Sequence, residues 1–205
     1  MNFSTILMLA AAALAQVPQQ HHPPRSAQEY AHVLENPTRD AWQKPHEVVT
    51  ALEIKPAEVI ADIGAGTGYF ARRFAHHAAK VYAVDIEAKL LEKAAADAPA
   101  ALQTILAAPD DPKLPEAGVD TVFFCNVLHH IDNRPSYYQK LARALKPGGR
   151  IVMVDFHKRK LPVGPPEAMK LSEQEVVAEM EAAGFRKTRS FDFLVHQYFM
   201  VFEKK

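Results

Sequence analysis

The sequence predicts an α/β protein with a Rossmann-like mixed sheet, helices on both faces and a closing antiparallel pair of C-terminal strands. Apolar segments of strand length alternate with segments of helical periodicity, which is typical of a largely parallel sheet. A glycine-rich turn at residues 64–68 follows the first apolar run. Two β-rich segments with no helix between them end the chain, which predicts the antiparallel pair.

The first half of the chain begins with two predicted helices and then enters the sheet. The first helix covers about residues 27–34 and is broken by Asn36-Pro37. The second has Pro45 in its first turn, where a missing amide costs little. The elements that follow are a strand at 59–63, a helix over 67–78, a strand at 81–85, a helix that Pro99 stops, and a strand at 102–107.

The second half alternates in the same way before it closes. A β-rich strand at 119–124 precedes a helix with one apolar face, and the Lys-Pro-Gly-Gly run at 146–149 stops that helix before a strand at 150–155. Ser172 and Glu175 form a capping box that opens a helix with Gly184 as its C-cap. The closing strands are predicted at 185–193 and 196–202.

The composition limits the classes of partner and site. The 205 residues form one domain with room for a substantial core, and 24 basic residues balance 24 acidic ones. This balance disfavours nucleic acid as a partner, because no basic surface is predicted that would follow a phosphate backbone. Cys125 is the only cysteine, so neither an intramolecular disulfide nor a cysteine zinc cluster forms, and no metal site is predicted.

The N-terminus predicts export. Residues 6–15 are uncharged and apolar and end in Ala13-Leu14-Ala15, a small-residue cleavage site before Gln16. This run is too short for a stable membrane span. We therefore expect a signal peptide at 1–15, a flexible linker at 16–25 and the folded domain at 26–205, exported to the periplasm or the medium. The alternative is that residues 1–15 are a tail and the protein stays in the cytoplasm.

The glycine-rich turn predicts a nucleoside site. A strand, a glycine turn and a helix N-terminus together present unpaired amides and a helix dipole to an anionic group. The next strand ends in Asp85, whose carboxylate can accept hydrogen bonds from two ribose hydroxyls.

The spacing of the glycines indicates which nucleoside binds. The dinucleotide fingerprint is G-x-G-x-x-G, whereas this chain has G-x-G-x-G with Tyr69 where the third dinucleotide glycine would stand. Preceded by Asp62, the pattern resembles the first motif of the class I S-adenosylmethionine-dependent methyltransferases. The resemblance extends from about Tyr30 to the C-terminus. It implies S-adenosylmethionine as cofactor and methyl transfer to a small-molecule acceptor that the sequence does not identify.

The resemblance also implies roles for residues that follow the strands. The amides of the turn glycines would receive the methionine carboxylate, while Asp62 would brace the turn or reach the amino group and Asp85 would bind the ribose. Asp110 would accept from the adenine amino group, with Asp111 as the alternative register and loop solubility as the competing interpretation. Asn126 would contact the amino-acid end of the donor. The predicted cofactor-binding residues are Asp62, Gly64, Gly66, Gly68, Asp85, Asp110, Asp111 and Asn126.

The acceptor side is less specified by the sequence. His129 or His130 is a candidate general base because imidazole titrates near neutrality, and the competing interpretation is that one of them only packs. Asp155 and His157 follow the fifth strand and are candidates to approach the acceptor. Acceptor choice is expected in the N-terminal helix and in residues 158–170. The residues predicted to cover the donor are Tyr30, Arg39 and Trp42, with core packing as the alternative for Trp42.

Two other classes of function remain open at the sequence level. A nicotinamide-dependent oxidoreductase is disfavoured by the glycine spacing and by the lack of a recognisable hydride-transfer constellation. A non-catalytic domain that binds the nucleoside as a sensor or scaffold would keep the same glycines and the same Asp85.

Overall fold

The computed structural model describes residues 27–205, with side-chain environments from Ala31 onward. The signal peptide expected at 1–15 and the linker expected at 16–25 lie outside the described residues. The strands are β1 Val59–Ile63, β2 Lys80–Asp85, β3 Leu102–Leu106, β4 Val119–Cys125, β5 Leu145–Phe156, β6 Phe185–Phe191 and β7 Gln197–Lys204. The helices are α1 Ala27–Leu34, α2 Arg39–Gln43, α3 Pro45–Ala51, α4 Ala71–Phe74, α5 Ala88–Ala95, α6 Arg134–Ala144 and α7 Glu173–Ala182.

The strands form one mixed sheet in the order β3-β2-β1-β4-β5-β7-β6. Strands β1 to β5 are parallel, β7 is antiparallel to β5, and β6 is antiparallel to β7. The predicted fold class is confirmed, including the closing antiparallel pair. The strand order reverses between β1 and β4, so the carboxyl ends of these two strands flank the crevice in which such sheets bind ligands.

The sheet has a separate apolar cluster on each face. In β4, Val122 and Phe124 point into the cluster formed with α6 and α7, while Phe123 points into the cluster formed with α3, α4 and α5. The three side chains are at most 1% exposed. Burial on both faces explains why these three consecutive residues of β4 are all apolar, as expected for a central parallel strand.

The main differences from the predictions are helix α2, which was not predicted, and three element boundaries. The helix expected over 67–78 is only α4, although hydrogen bonds of the i to i−4 and i to i−3 kind continue on both sides of it, from Arg72 N–Gly68 O to Ala78 N–Phe74 O. Helix α5 ends at Ala95, before the expected stop at Pro99, because Ala96 has an extended backbone and Asp97 then has a left-handed φ of 51°.

The third difference concerns β5, which begins at Leu145 and includes the Pro-Gly-Gly run that was expected to precede the strand. Leu145 pairs with Val119, and a register shift then absorbs residues 146–149 before Arg150 pairs with Thr121. The glycines allow this irregularity, as in a β-bulge. Among the helices of residues 27–205, none is long and apolar enough to cross a membrane.

Candidate active site

The glycine turn follows β1 and has a backbone that requires glycine. Gly64, Gly66 and Gly68 have φ values of 67°, 56° and 85°, in the left-handed region that other residues rarely adopt. A Cβ on Gly64 would lie 2.4 Å from Val127 Cγ2. The amides of Gly64 and Ala65 donate to the Val84 carbonyl at 2.8 and 3.0 Å, which fixes the turn against β2.

Asp85 lies beside this turn at the end of β2. One carboxylate oxygen accepts a hydrogen bond from the Gly66 amide at 2.8 Å, and the other accepts from the Glu87 amide at 3.0 Å. Burial is the main cause that raises the pKa of the Asp85 carboxyl, and these amides oppose it. The structure therefore brings Asp85 to the turn, as predicted, and shows that it also braces the turn.

Asp62 is the buried acid of the site. Asp62 is a residue of β1 and is 2% exposed. Its Oδ2 has no hydrogen-bond partner among the described residues. Burial raises the pKa of the carboxyl to about 8, against the lowering effects of the Ala71 amide and the Arg39 charge. A buried carboxyl with an unused oxygen is suited to receive an N–H donor from a ligand.

The N-terminal segment covers the turn. A Cβ on Gly66 would lie 2.6 Å from Leu34 Cδ1, so α1 ends against the turn backbone. The Arg39 guanidinium lies 3.8 Å above the centre of the Tyr69 ring and donates to the Leu34 carbonyl at 3.2 Å. Arg39 Nε is buried without a partner among the described residues, so Arg39 has unused donor capacity near Asp62. Tyr30 lies in α1.

Asn126 follows β4 in a left-handed conformation with a φ of 60°. Its side-chain amide is bonded on both sides, because Asn126 Nδ2 donates to Gln43 Oε1 at 3.3 Å and Oδ1 accepts from Gln197 Nε2 at 2.6 Å. Gln43 Nε2 donates in turn to Gln197 Oε1 at 2.6 Å. We call these three side chains the amide ring. Gln43 and Gln197 were not anticipated from the sequence, where a single glutamine in an amphipathic segment carries no signal.

The histidines after β4 differ in exposure. His129 Nδ1 lies 3.1 Å from Asp155 Oδ2, and both side chains are buried. Asp155 Oδ1 also accepts from the Phe156 amide at 2.8 Å, so this carboxylate fixes the position of His129. The His130 ring is partly exposed and lies 4.2 Å from the His129 ring.

His157 and Trp42 pack around the end of β5. His157 Nδ1 lies 3.0 Å from Glu173 Oε1 at the start of α7. The Trp42 ring lies 5.6 Å from the buried ring of Phe156. A cavity of about 380 Å³ opens here, lined by His157, Lys158, Arg159, Ser172, Glu173 and Gln174.

Asp110 and Asp111 lie in the loop that leaves β3 beside Asp85, where the Ala107 amide donates to the Asp85 carbonyl at 2.9 Å. Both carboxylates are near the Lys140 ammonium of α6, at 3.6 and 3.5 Å. The Lys113 amide, at 2.8 Å, is the main cause that lowers the pKa of Asp111. The carboxylates thus face α6, and their role toward adenine stays a prediction.

Comparisons with known proteins agree on one family. Residues 61–153 match the family model described as "Methyltransferase domain". An uncharacterized methyltransferase of Mycobacterium tuberculosis is 34% identical over 102 residues, which are 48% of this chain and 51% of that protein. The demethylmenaquinone methyltransferase of Tropheryma whipplei is 31% identical over 112 residues, which are 53% of this chain and 46% of that protein. The chain spans about half the length of these two relatives.

The fold has a counterpart among solved structures. A SAM-dependent methyltransferase from Aquifex aeolicus superposes with a TM-score of 0.81 at 21% identity, over 87% of this chain and 98% of that one. At this identity the likeness concerns the fold. It covers more of the chain than the segment that the family model matches.

Proposed function

We infer that this chain belongs to the class I S-adenosylmethionine-dependent methyltransferase family, and we propose that it transfers a methyl group from S-adenosylmethionine to a small-molecule acceptor. The observation that carries the proposal is the turn of three left-handed glycines between two acids, Asp62 and Asp85, at the reversal of strand order. Strand order, turn and acids are together the elements of a nucleoside site.

The residues present fit this cofactor. The unpartnered oxygen of Asp62 suits the ammonium group of the methionine moiety, and the unused Nε of Arg39 suits its carboxylate. The sequence predicted that the glycine amides of the turn bind this carboxylate, but all three already donate within the protein, to Val84, Asp85 and Ala65. We therefore propose Arg39 as the carboxylate donor, while Asp85 would accept from the ribose hydroxyls. The sulfonium supplies an already activated methyl group, so the chain contributes mainly alignment and exclusion of water.

The acceptor side is proposed at the ends of β4 and β5. Asp155 orients His129, and His130 is the more exposed of the two histidines, which makes it the better candidate to take a proton from an acceptor. A small acceptor is supported by the neutral charge balance and by the name of the Tropheryma relative, whose substrate is demethylmenaquinone. We propose that the N-terminal helix and residues 158–170 determine which acceptor binds.

The test of this proposal is ligand-dependent thermal stability followed by turnover. S-adenosylhomocysteine should raise the melting temperature and NAD should not, because a ligand that binds the folded state stabilises it by mass action. A shift with NAD alone would favour an oxidoreductase. Formation of S-adenosylhomocysteine on a panel of quinol, phenol and carboxylate acceptors then separates an enzyme from a domain that only binds the nucleoside.

We also propose that the protein is exported and that residues 1–15 are removed. The support is the uncharged apolar run at 6–15 with its Ala-Leu-Ala end.

A further inference from the structure

The amide ring joins three distant parts of the chain. Gln43 belongs to α2, Asn126 follows β4, and Gln197 begins β7. The three hydrogen bonds close on themselves, with each amide donating to one neighbour and accepting from the other. Gln43 and Gln197 are 0% and 1% exposed, so water cannot easily replace a lost partner.

Arg39 sets the direction of the amide ring. Amide oxygen and nitrogen look alike in shape, so three amides alone could bond in either sense. Arg39 Nη2 lies 3.4 Å from Gln43 Oε1, and a guanidinium can only donate. The Gln43 atom that faces Arg39 is therefore oxygen, which turns its nitrogen toward Gln197 and fixes the other two amides.

The amide ring holds Asn126, which directly precedes the residue packed against the glycine turn. Asn126 has left-handed backbone, and its own amide donates to the Val154 carbonyl at 2.9 Å. The next residue, Val127, packs against Gly64 so closely that a Cβ there would lie 2.4 Å from Val127 Cγ2. A displacement of Asn126 is thereby transmitted to the turn.

We propose that Gln43 and Gln197 are positioning residues for the amino-acid end of the donor. They act through Asn126, whose second N–H and second lone pair remain as capacity for a ligand once the amide ring is formed. This inference rests on the proposed function. It assigns to α2 and β7, which lie outside the segment matched by the family model, a role in the affinity for the donor.

The test replaces each glutamine with methionine, which has a similar shape and no amide. Calorimetry on the full chain measures the Kd for S-adenosylhomocysteine and for 5′-methylthioadenosine, which lacks the amino-acid end. Gln43→Met and Gln197→Met should each raise the Kd for S-adenosylhomocysteine about tenfold, because each removes one of the two ring hydrogen bonds that hold the Asn126 amide. The Kd for 5′-methylthioadenosine should stay unchanged. The matched control is Gln139→Met on exposed α6 surface, which should change neither value.

The double variant adds a second criterion. Gln43→Met/Gln197→Met should raise the Kd no further than either single change, because each opens the same amide ring. Folded variants with an unchanged Kd for S-adenosylhomocysteine, or with an equal loss for both ligands, would overturn the inference and leave the proposed function intact. Failure of the unsubstituted protein to bind S-adenosylhomocysteine would overturn the proposed function and this inference with it.

If the variants do not fold, a measurement on the unsubstituted protein still tests the inference. The side-chain amide signals of Gln43 and Gln197 in NMR spectra should shift when S-adenosylhomocysteine is added and stay in place with 5′-methylthioadenosine. Signals that ignore S-adenosylhomocysteine while it binds would contradict the inference.

Discussion

Asp62 and Asp85 are two acids of one site in different environments. Asp85 accepts two backbone amides, whereas Asp62 has an oxygen with no partner in the described part of the chain. Burial raises the pKa of both carboxyls. The two acids therefore differ in role: Asp85 holds the turn by its hydrogen bonds, whereas Asp62 keeps one oxygen available for a ligand.

The protonation of Asp62 makes stability depend on pH. The pKa of its carboxyl is about 8 in the folded protein, above the usual value, so the folded state binds more protons than the unfolded state over the intervening range. The free energy of unfolding should therefore fall as pH rises from 5 to 8, by at most about 1.4 kcal/mol per unit from this group. Asp62→Asn should remove that contribution, as measured by urea unfolding at several pH values. The exposed change Asp192→Asn serves as control, and equal pH slopes in both variants would contradict the assignment.

Removal of the Asp85 carboxylate should weaken the binding of S-adenosylhomocysteine. Asp85→Ala deletes the proposed ribose acceptor and the partner of the Gly66 amide. Hydrogen bonds to a charged group contribute roughly 1.5–3 kcal/mol, so the Kd should rise about ten- to a hundred-fold with the fold retained. Calorimetry checks this beside Asp192→Ala, and a folded variant with normal affinity would mean that another carboxylate binds the ribose.

The positions of residues in the fold were predictable where the signal is local in sequence. The glycines, Asp62 and Asp85 lie within or just after adjacent strands, and their spacing fixes their position at one edge of the sheet. The amide ring joins residues 43, 126 and 197, and no local pattern relates such distant positions. The ion pair of Asp110 was not predicted either, because its partner Lys140 lies on another element, α6.

At the scale of elements, Phe156 is the point where three segments meet. Trp42 of α2 packs against its ring, the Lys170 ammonium lies 5.8 Å from its centre, and Gly164 lies over it. Lys170 is buried, and its Nζ donates to the Arg159 carbonyl at 2.7 Å. The segment proposed to choose the acceptor is thus folded back onto the end of β5.

Gly164→Ala should loosen this segment. Gly164 has a φ of 86°, and a Cβ would lie 2.8 Å from three atoms of the Phe156 ring. Gly184 has a similar φ of 89° and nothing within 4 Å of its Cβ position, so Gly184→Ala is a matched control for backbone strain. By urea unfolding, we expect the free energy of unfolding to fall by about 1–2 kcal/mol in Gly184→Ala and by about 1–3 kcal/mol more in Gly164→Ala. Trp42 is the only tryptophan, so its fluorescence should change in Gly164→Ala alone. Equal losses and unchanged fluorescence would show that residues 157–170 adapt without strain.

Most elements were predictable because their periodicity is strong, and the exceptions have local causes. Helix α1 and the opening of α7 agree with prediction, including the capping box of Ser172 and Glu175. Helix α2 has five residues between two prolines, too few to show a period. Strand β5 takes up a Pro-Gly-Gly run that normally ends elements, because pairing of Leu145 with Val119 outweighs the local preference.

For the whole molecule, the expected export and the proposed cofactor imply different compartments. S-adenosylmethionine is a product of cytoplasmic metabolism, so an exported domain must meet its donor outside the membrane or bind it before export. The prediction is that mass spectrometry of the protein from cells finds a chain beginning at or near Gln16. Intact Met1 in the cytoplasmic fraction would overturn export and leave the methyltransferase assignment untouched.

The closed amide ring also constrains how this chain can diverge. A change at Gln43, Asn126 or Gln197 alone takes one hydrogen-bond partner from each of the other two amides, which destabilises the site. An apolar residue at one of these positions costs least when the other two change as well. In descendants of this sequence the three positions should therefore be inherited as a unit, although 154 residues separate the first from the last.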